Sequence, residues 1–106
     1  MSATHLYSDN FEKVISSSQT PAVVDFWASW CNPCRMLAPV IEDLSDELDG
    51  KAGVYKLDVD EAGDVAAAYG VMSIPTIIIF VGGTEKERIV GFRSKEDLLK
   101  IVEKYL

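Results

Sequence analysis

The sequence predicts an α/β fold, with one mixed sheet and helices on both of its faces. Three observations carry that reading. Strand-length segments at 22–28, 54–59 and 76–81, the first and last of them mostly apolar, alternate with segments of helical period. A Gly82-Gly83 pair separates two strand-like segments, 76–81 and 87–90, as a short hairpin loop does. The 106 residues suffice for one domain, 1–106, around one hydrophobic core and are too few for two.

The elements follow in order. Asp9 is a candidate N-cap with Glu12 completing a capping box, and Phe11, Val14 and Ile15 then mark one helical face up to Ser16-Ser17-Ser18. Pro21 closes the loop, and Ala22 to Ala28 reads as a buried strand, apolar on both faces apart from Asp25. Leu37, Val40, Ile41, Leu44 and Leu48 recur at steps of three and four, which predicts a long amphipathic helix from about Pro33 to Asp49. Pro39 inside it removes a backbone donor and should kink it, and Gly50 and Gly53 end it. Val54 to Val59 is the next strand, followed by a short helix around Ala62 to Tyr69 that Gly70 stops. The last helix starts at Ser94, with Asp97 at the capping-box position, and buries Leu98, Ile101, Val102 and Tyr105. The order is β-α-β-α-β-α-β-β-α; the leading strand has no clear bounds in the sequence.

Composition narrows the function classes. Nearly half the residues are apolar and a quarter charged, an ordinary globular balance. A net charge of −7 argues against nucleic acid, because a phosphate backbone would be repelled without a local basic cluster. The densest basic stretch, Lys86 to Lys95, is interleaved with Glu85, Glu87 and Glu96 and reads as a solvated surface. The segment Met1 to His5 has neither a basic start nor an apolar core, so no secretory signal is expected. No apolar run approaches the ~20 residues of a membrane span. The expected compartment is a reducing cytoplasm, where a lone cysteine pair is more often catalytic or metal-binding than structural.

The chemistry concentrates at Trp30-Cys31-Asn32-Pro33-Cys34-Arg35, which holds both cysteines of the chain. A thiol attacks a disulfide as its thiolate, and a free cysteine is mostly protonated at neutral pH. Cys31 precedes a helix, whose unpaired N–H groups and dipole favour an anion, and Arg35 adds a positive charge one turn on. Pro33 suits the first helical turn, where its missing donor costs nothing. Cys31 then attacks a substrate disulfide, and Cys34 resolves the mixed disulfide by attacking Cys31. Zinc is the competing reading, but two cysteines and His5 cannot close a four-ligand site within one chain; a dimeric site stays open. A structural disulfide over so short a loop would stabilise little.

Cys34, inside the helix, needs a base. Asp25 is the candidate, because a carboxylate in an apolar strand has its pKa raised toward neutrality. The alternative is a carboxylate turned outward at a sheet edge. Lys56, in the neighbouring-looking strand, is a candidate partner for Asp25 or else an outward-facing strand lysine.

The chain resembles the thioredoxin family along nearly its whole length. The likeness rests on Asp25-Phe26-Trp27-Ala28-Ser29-Trp30-Cys31-Asn32-Pro33-Cys34-Arg35, Pro39, Lys56-Leu57-Asp58-Val59-Asp60, Tyr69-Gly70-Val71, Ile74-Pro75-Thr76, Gly83 and Gly91. It implies the thioredoxin fold, a mixed central sheet of about five strands flanked by four helices. It implies a general disulfide reductase with Cys31 as nucleophile, Cys34 as resolving thiol, and Asp25 with Lys56 in proton transfer. No bound cofactor is implied beyond the redox-active Cys31–Cys34 disulfide. The Ile74–Pro75 bond should be cis, with Pro75 packed on the cysteines and the Ile74 backbone pairing with an extended substrate segment. Trp30, Val59, Met72, Ile74, Gly91 and Phe92 should rim an apolar docking surface, though Met72 and Phe92 would equally suit a core. The implied partners are a thioredoxin reductase and disulfide-containing proteins, with the protein a monomer away from nucleic acid and membrane.

The family pattern is not met everywhere. Asn32 stands where Gly is usual, Ser73 precedes Ile74 in place of a common Gly, and Arg35 replaces a common Lys. Asn tolerates unusual backbone angles, so the loop can keep its shape. Its side chain can also hydrogen-bond near a sulfur, and Asn32, Pro33 and Arg35 are therefore the positions expected to tune the redox balance. An oxidant or isomerase of the same fold, or a binding subunit that does not use its thiols, are the competing functions. Pro33 favours the reductant.

Overall fold

The computed structural model describes residues 3–106. Five strands form one sheet: β1 (Thr4–Leu6), β2 (Ala22–Trp27), β3 (Gly53–Asp58), β4 (Thr76–Val81) and β5 (Thr84–Val90). Four helices join them: α1 (Phe11–Ser17), α2 (Asn32–Glu47), α3 (Gly63–Ala68) and α4 (Lys95–Glu103). The spatial order is β1-β3-β2-β4-β5, with β1, β3 and β2 parallel and β4 and β5 antiparallel to their neighbours. The leading strand, unplaced by the sequence, lies at Thr4–Leu6. Its pattern is too short to show a period, and pairing with β3 alone fixes it.

Side-chain alternation sorts the sheet into two faces. Val23, Ile77 and Ile79 pack with Leu37, Ile41 and Leu44 of α2 and Leu98 and Val102 of α4. Val24, Phe26, Ile78 and Phe80 point the other way, against Phe11 and Ile15 of α1 and Val65 and Ala66 of α3. That is why β2 and β4 are each apolar at every position but one, Asp25 and Thr76: both faces are covered.

The boundaries shift in instructive ways. The residue before α1 is Asn10, not Asp9, and it makes no side-chain cap; its Oδ1 accepts from the Tyr7 backbone N–H at 2.8 Å, closing the preceding turn instead. Glu12 therefore completes no capping box there. Helix α2 begins one residue earlier than expected and runs on past Pro39 as a single element. Gly53 belongs to β3 rather than to the helix end, its N–H donating to the Pro21 carbonyl. The expected cap of α4 is present, Ser94 Oγ accepting from the Asp97 N–H at 3.2 Å. Leu98 and Val102 are buried as expected, whereas Ile101 and Tyr105 are half-buried. Gly82 and Gly83 have φ of 60° and 81°, the left-handed pair that a two-residue hairpin turn requires.

Candidate active site

The site forms where the end of β2 meets the start of α2. Cys31 is the N-cap of α2, and its Sγ accepts from the Cys34 backbone N–H at 3.3 Å. The free N–H groups of that first turn, with the positive end of a 16-residue helix, face the sulfur and stabilise negative charge on it. Pro33 sits in the first turn, where no donor is needed. Cys31 and Cys34 are joined as a disulfide with Cα atoms 5.2 Å apart. Cys31 is 6 % exposed and Cys34 2 %, so the first cysteine is the one more open to attack by or on a partner.

Asp25 lies on the β2 face that also carries Val23 and packs on α2. The strand is third of five, so the alternative of an outward turn at a sheet edge does not hold; the side chain is 1 % exposed. Neither carboxylate oxygen has a hydrogen-bond partner among the described residues. Burial pushes its pKa up to about 7, against a smaller opposing pull from the Lys56 ammonium. Lys56 is its register partner across β2 and β3, on the same face. The Lys56 ammonium stands 4.7 Å from the Trp27 ring centroid, so it is held by an aromatic face while acting on Asp25 through space. Trp27 is half-buried, with its Nε1 buried and unpartnered among the described residues.

On the opposite side of the cysteines, the Ile74–Pro75 bond is cis and Pro75 is buried. The Ile74 carbonyl oxygen lies 3.7 Å from Cys31 Sγ. Thr76 Oγ1 donates to the Ser73 carbonyl at 2.5 Å, and the Gly91 N–H donates to the Pro75 carbonyl at 2.8 Å. Trp27, Val59 and Ile74 pack against the small cluster of Ala28, Cys31 and Cys34. Trp30 is 66 % exposed, and Met72 and Phe92 are exposed as well, so the structure places neither of the latter two in a core. Val59 and Ile74 thus pack on the cysteine cluster, Gly91 is tied to the Pro75 carbonyl, and Met72 stands on the loop that leads to Ile74.

Asn32 does not turn toward a sulfur. Its Oδ1 accepts from the Arg35 guanidinium, which also donates to the Ser29 carbonyl at 3.3 Å. A charged guanidinium is a strong donor to that amide oxygen, whereas the disulfide sulfurs carry no proton to offer it.

Two features escape sequence reasoning. Asp60 Oδ2 accepts from Trp30 Nε1 at 2.8 Å, a pairing across thirty residues that no local pattern announces. Met36 is 64 % exposed one residue beyond Arg35, an apolar side chain that no motif in the sequence singles out.

A helix-capping, disulfide-forming cysteine pair beside a cis-proline loop on this five-stranded sheet defines a thiol–disulfide oxidoreductase. The thioredoxin family model matches residues 2–104. The chain is 47 % identical over 106 residues to a thioredoxin of Staphylococcus saprophyticus, covering all of both chains. It is 47 % identical over 107 residues to a thioredoxin of Synechocystis, again over all of both. The solved structure of a point-mutant thioredoxin from Halobacterium salinarum superposes with a TM-score of 0.89 at 36 % identity, over 98 % of this chain and 90 % of that one. The chain belongs to the thioredoxin family.

Proposed function

We propose that the protein is a general reductant of protein disulfides, working as a single domain and as a monomer in the cytoplasm. The observation that carries this reading is the placement of Cys31 at the mouth of α2, 3.7 Å from the backbone of Ile74. Cys31 as thiolate attacks one sulfur of a substrate disulfide; the other sulfur leaves with the bond's electron pair and takes a proton. Asp25, near neutrality in pKa, accepts the Cys34 proton, and Lys56 assists through its charge. Cys34 then attacks Cys31, the reduced substrate departs, and the two electrons it gained leave Cys31–Cys34 oxidised. A thioredoxin reductase returns them, so the protein is an electron carrier within cellular redox homeostasis.

Pro75 shapes the loop against the cysteines, and the Ile74 backbone takes an extended substrate segment as an added strand. Trp30, Val59, Met72, Ile74, Gly91 and Phe92 supply the apolar surface on which that segment rests. Asn32, Pro33 and Arg35 set the redox balance, with the Asn32–Arg35 contact holding the guanidinium at the helix entrance.

The test is the equilibrium of the Cys31–Cys34 disulfide against a glutathione redox buffer, followed by thiol alkylation and mass. A midpoint well below the glutathione poise is expected. A midpoint near or above it would refute the reductant and favour an oxidant or isomerase. A subunit that only binds would keep its function in the Cys31→Ser, Cys34→Ser double variant, whereas the reductant loses it.

A further inference from the structure

Arg88 lies on β5, in a stretch whose mixed charges read as ordinary surface, yet its guanidinium is committed to the backbone of a neighbouring segment. Nη2 donates to the Tyr69 carbonyl at 2.6 Å and Nη1 to the Gly70 carbonyl at 3.3 Å. Nε and Nη2 also donate to the two Glu85 carboxylate oxygens, each at 2.9 Å. Tyr69 is the C-cap of α3, and Gly70, at φ 64°, turns the chain out of the helix. A cation here complements carbonyls that the helix leaves unpaired, and the Glu85 fork holds it in line.

The next residues are Val71 to Pro75, the loop that brings Ile74 to Cys31. Its far end is tied by the Gly91 N–H to the Pro75 carbonyl and by Thr76 to Ser73. Arg88, within β5, and Gly91, just beyond its end, are three residues apart. One short stretch of chain therefore grips both ends of this loop.

We propose that Arg88 is a positioning residue for protein substrates, holding the Val71–Pro75 loop in the shape that presents the Ile74 backbone to an extended segment. The proposal rests on the reading that substrates pair with that backbone. A small disulfide, which needs only Cys31, is indifferent to Arg88. A disulfide protein, which must lie along the loop, is not.

The experiment compares wild type with Arg88→Met, which keeps the apolar stem and removes the donors, using insulin and a small aromatic disulfide as substrates. The expected result is a rise in KM for insulin of about threefold to tenfold, the span typical of mutations that loosen a positioning element, with kcat within about twofold. The rate on the small disulfide stays unchanged. Arg88→Lys retains part of the insulin affinity, since an ammonium can still reach one carbonyl; this variant carries the test if Arg88→Met does not fold. Equal losses on both substrates, or an unchanged insulin KM in a folded variant, would overturn the proposal. Hydrogen exchange on a Cys34→Ser mixed disulfide with a cysteine peptide separates the two layers. Unprotected Val71–Ile74 amides in the wild-type background would sink the strand-pairing reading and this proposal with it. Protected amides with an Arg88-independent KM would sink only the role of Arg88.

Discussion

Replacing Asp25 by Asn should abolish a pH dependence of stability that this single carboxyl imposes. Asp25 is buried on the covered face of β2 with no hydrogen-bond partner among the described residues, and burial raises its pKa from an ordinary 3.8 to about 7. A group whose pKa is higher in the folded state binds more protons there, so stability falls as pH rises between the two values. At about 1.4 kcal/mol for each tenfold change in proton affinity, the full loss is about 4 kcal/mol, against a total stability of roughly 5–15 kcal/mol for a small domain. Nearly all of it accrues between about pH 4 and pH 7, where the unfolded chain ionises and the folded one does not; above pH 7 the curve flattens. Equilibrium unfolding in urea from pH 4 to 8.5, on the oxidised form of both proteins, measures it. The difference between wild type and Asp25→Asn removes the opposite contribution of Glu85 and Glu87, whose ion pairs and hydrogen bonds lower their pKa values. The variant should gain on the wild type steadily through the window, by about 4 kcal/mol in all, while any penalty for its own unpaired amide, which does not titrate, offsets the difference equally at every pH. A difference that stays constant to within about 1 kcal/mol, or that grows toward low pH, would refute the assignment of a buried, high-pKa carboxyl.

Two further outcomes are expected. Cys34→Ser should accumulate a covalent adduct with a disulfide substrate, seen as a mass increase that dithiothreitol removes, whereas Cys31→Ser should form none; equal trapping by both variants would reverse the order of attack. Ser94→Ala deletes the side-chain cap of α4 and should lower stability by about 1 kcal/mol in urea unfolding; no loss would refute the cap's contribution.

Much of the fold is legible in the sequence because the signals are local. Strands and helices leave different apolar patterns: Ala22 to Trp27 and Thr76 to Val81 are short continuous runs of strand length, and Leu37 to Leu48 keeps the helical step for a full element. The Gly82-Gly83 turn and the Ser94 cap act within four residues, so they too can be read directly. The cap expected at Asp9 is absent because Asp9 and Asn10 are both good capping types, and the turn from Tyr7 decides which one the helix meets. The first strand escapes because three residues carry no period.

Residue order alone specifies the chemistry on offer: two thiols at a helix entrance, one carboxylate in an apolar strand, and a loop proline before the strand that follows. How these act together depends on the folded arrangement. Strand order puts Asp25 in the interior and Lys56 beside it in register, and burial, which no residue type specifies, raises the pKa. The partner of Trp30 and the backbone partners of Arg88 likewise depend on which segments fold against one another. Asn32 lies within reach of the sulfurs by sequence, yet its amide oxygen binds Arg35, because the guanidinium is a strong charged donor and the disulfide sulfurs are not donors at all. Asp60 meets Trp30 and Arg88 meets Tyr69 across 30 and 19 residues, distances over which pairing is set by packing of the whole chain rather than by any local pattern.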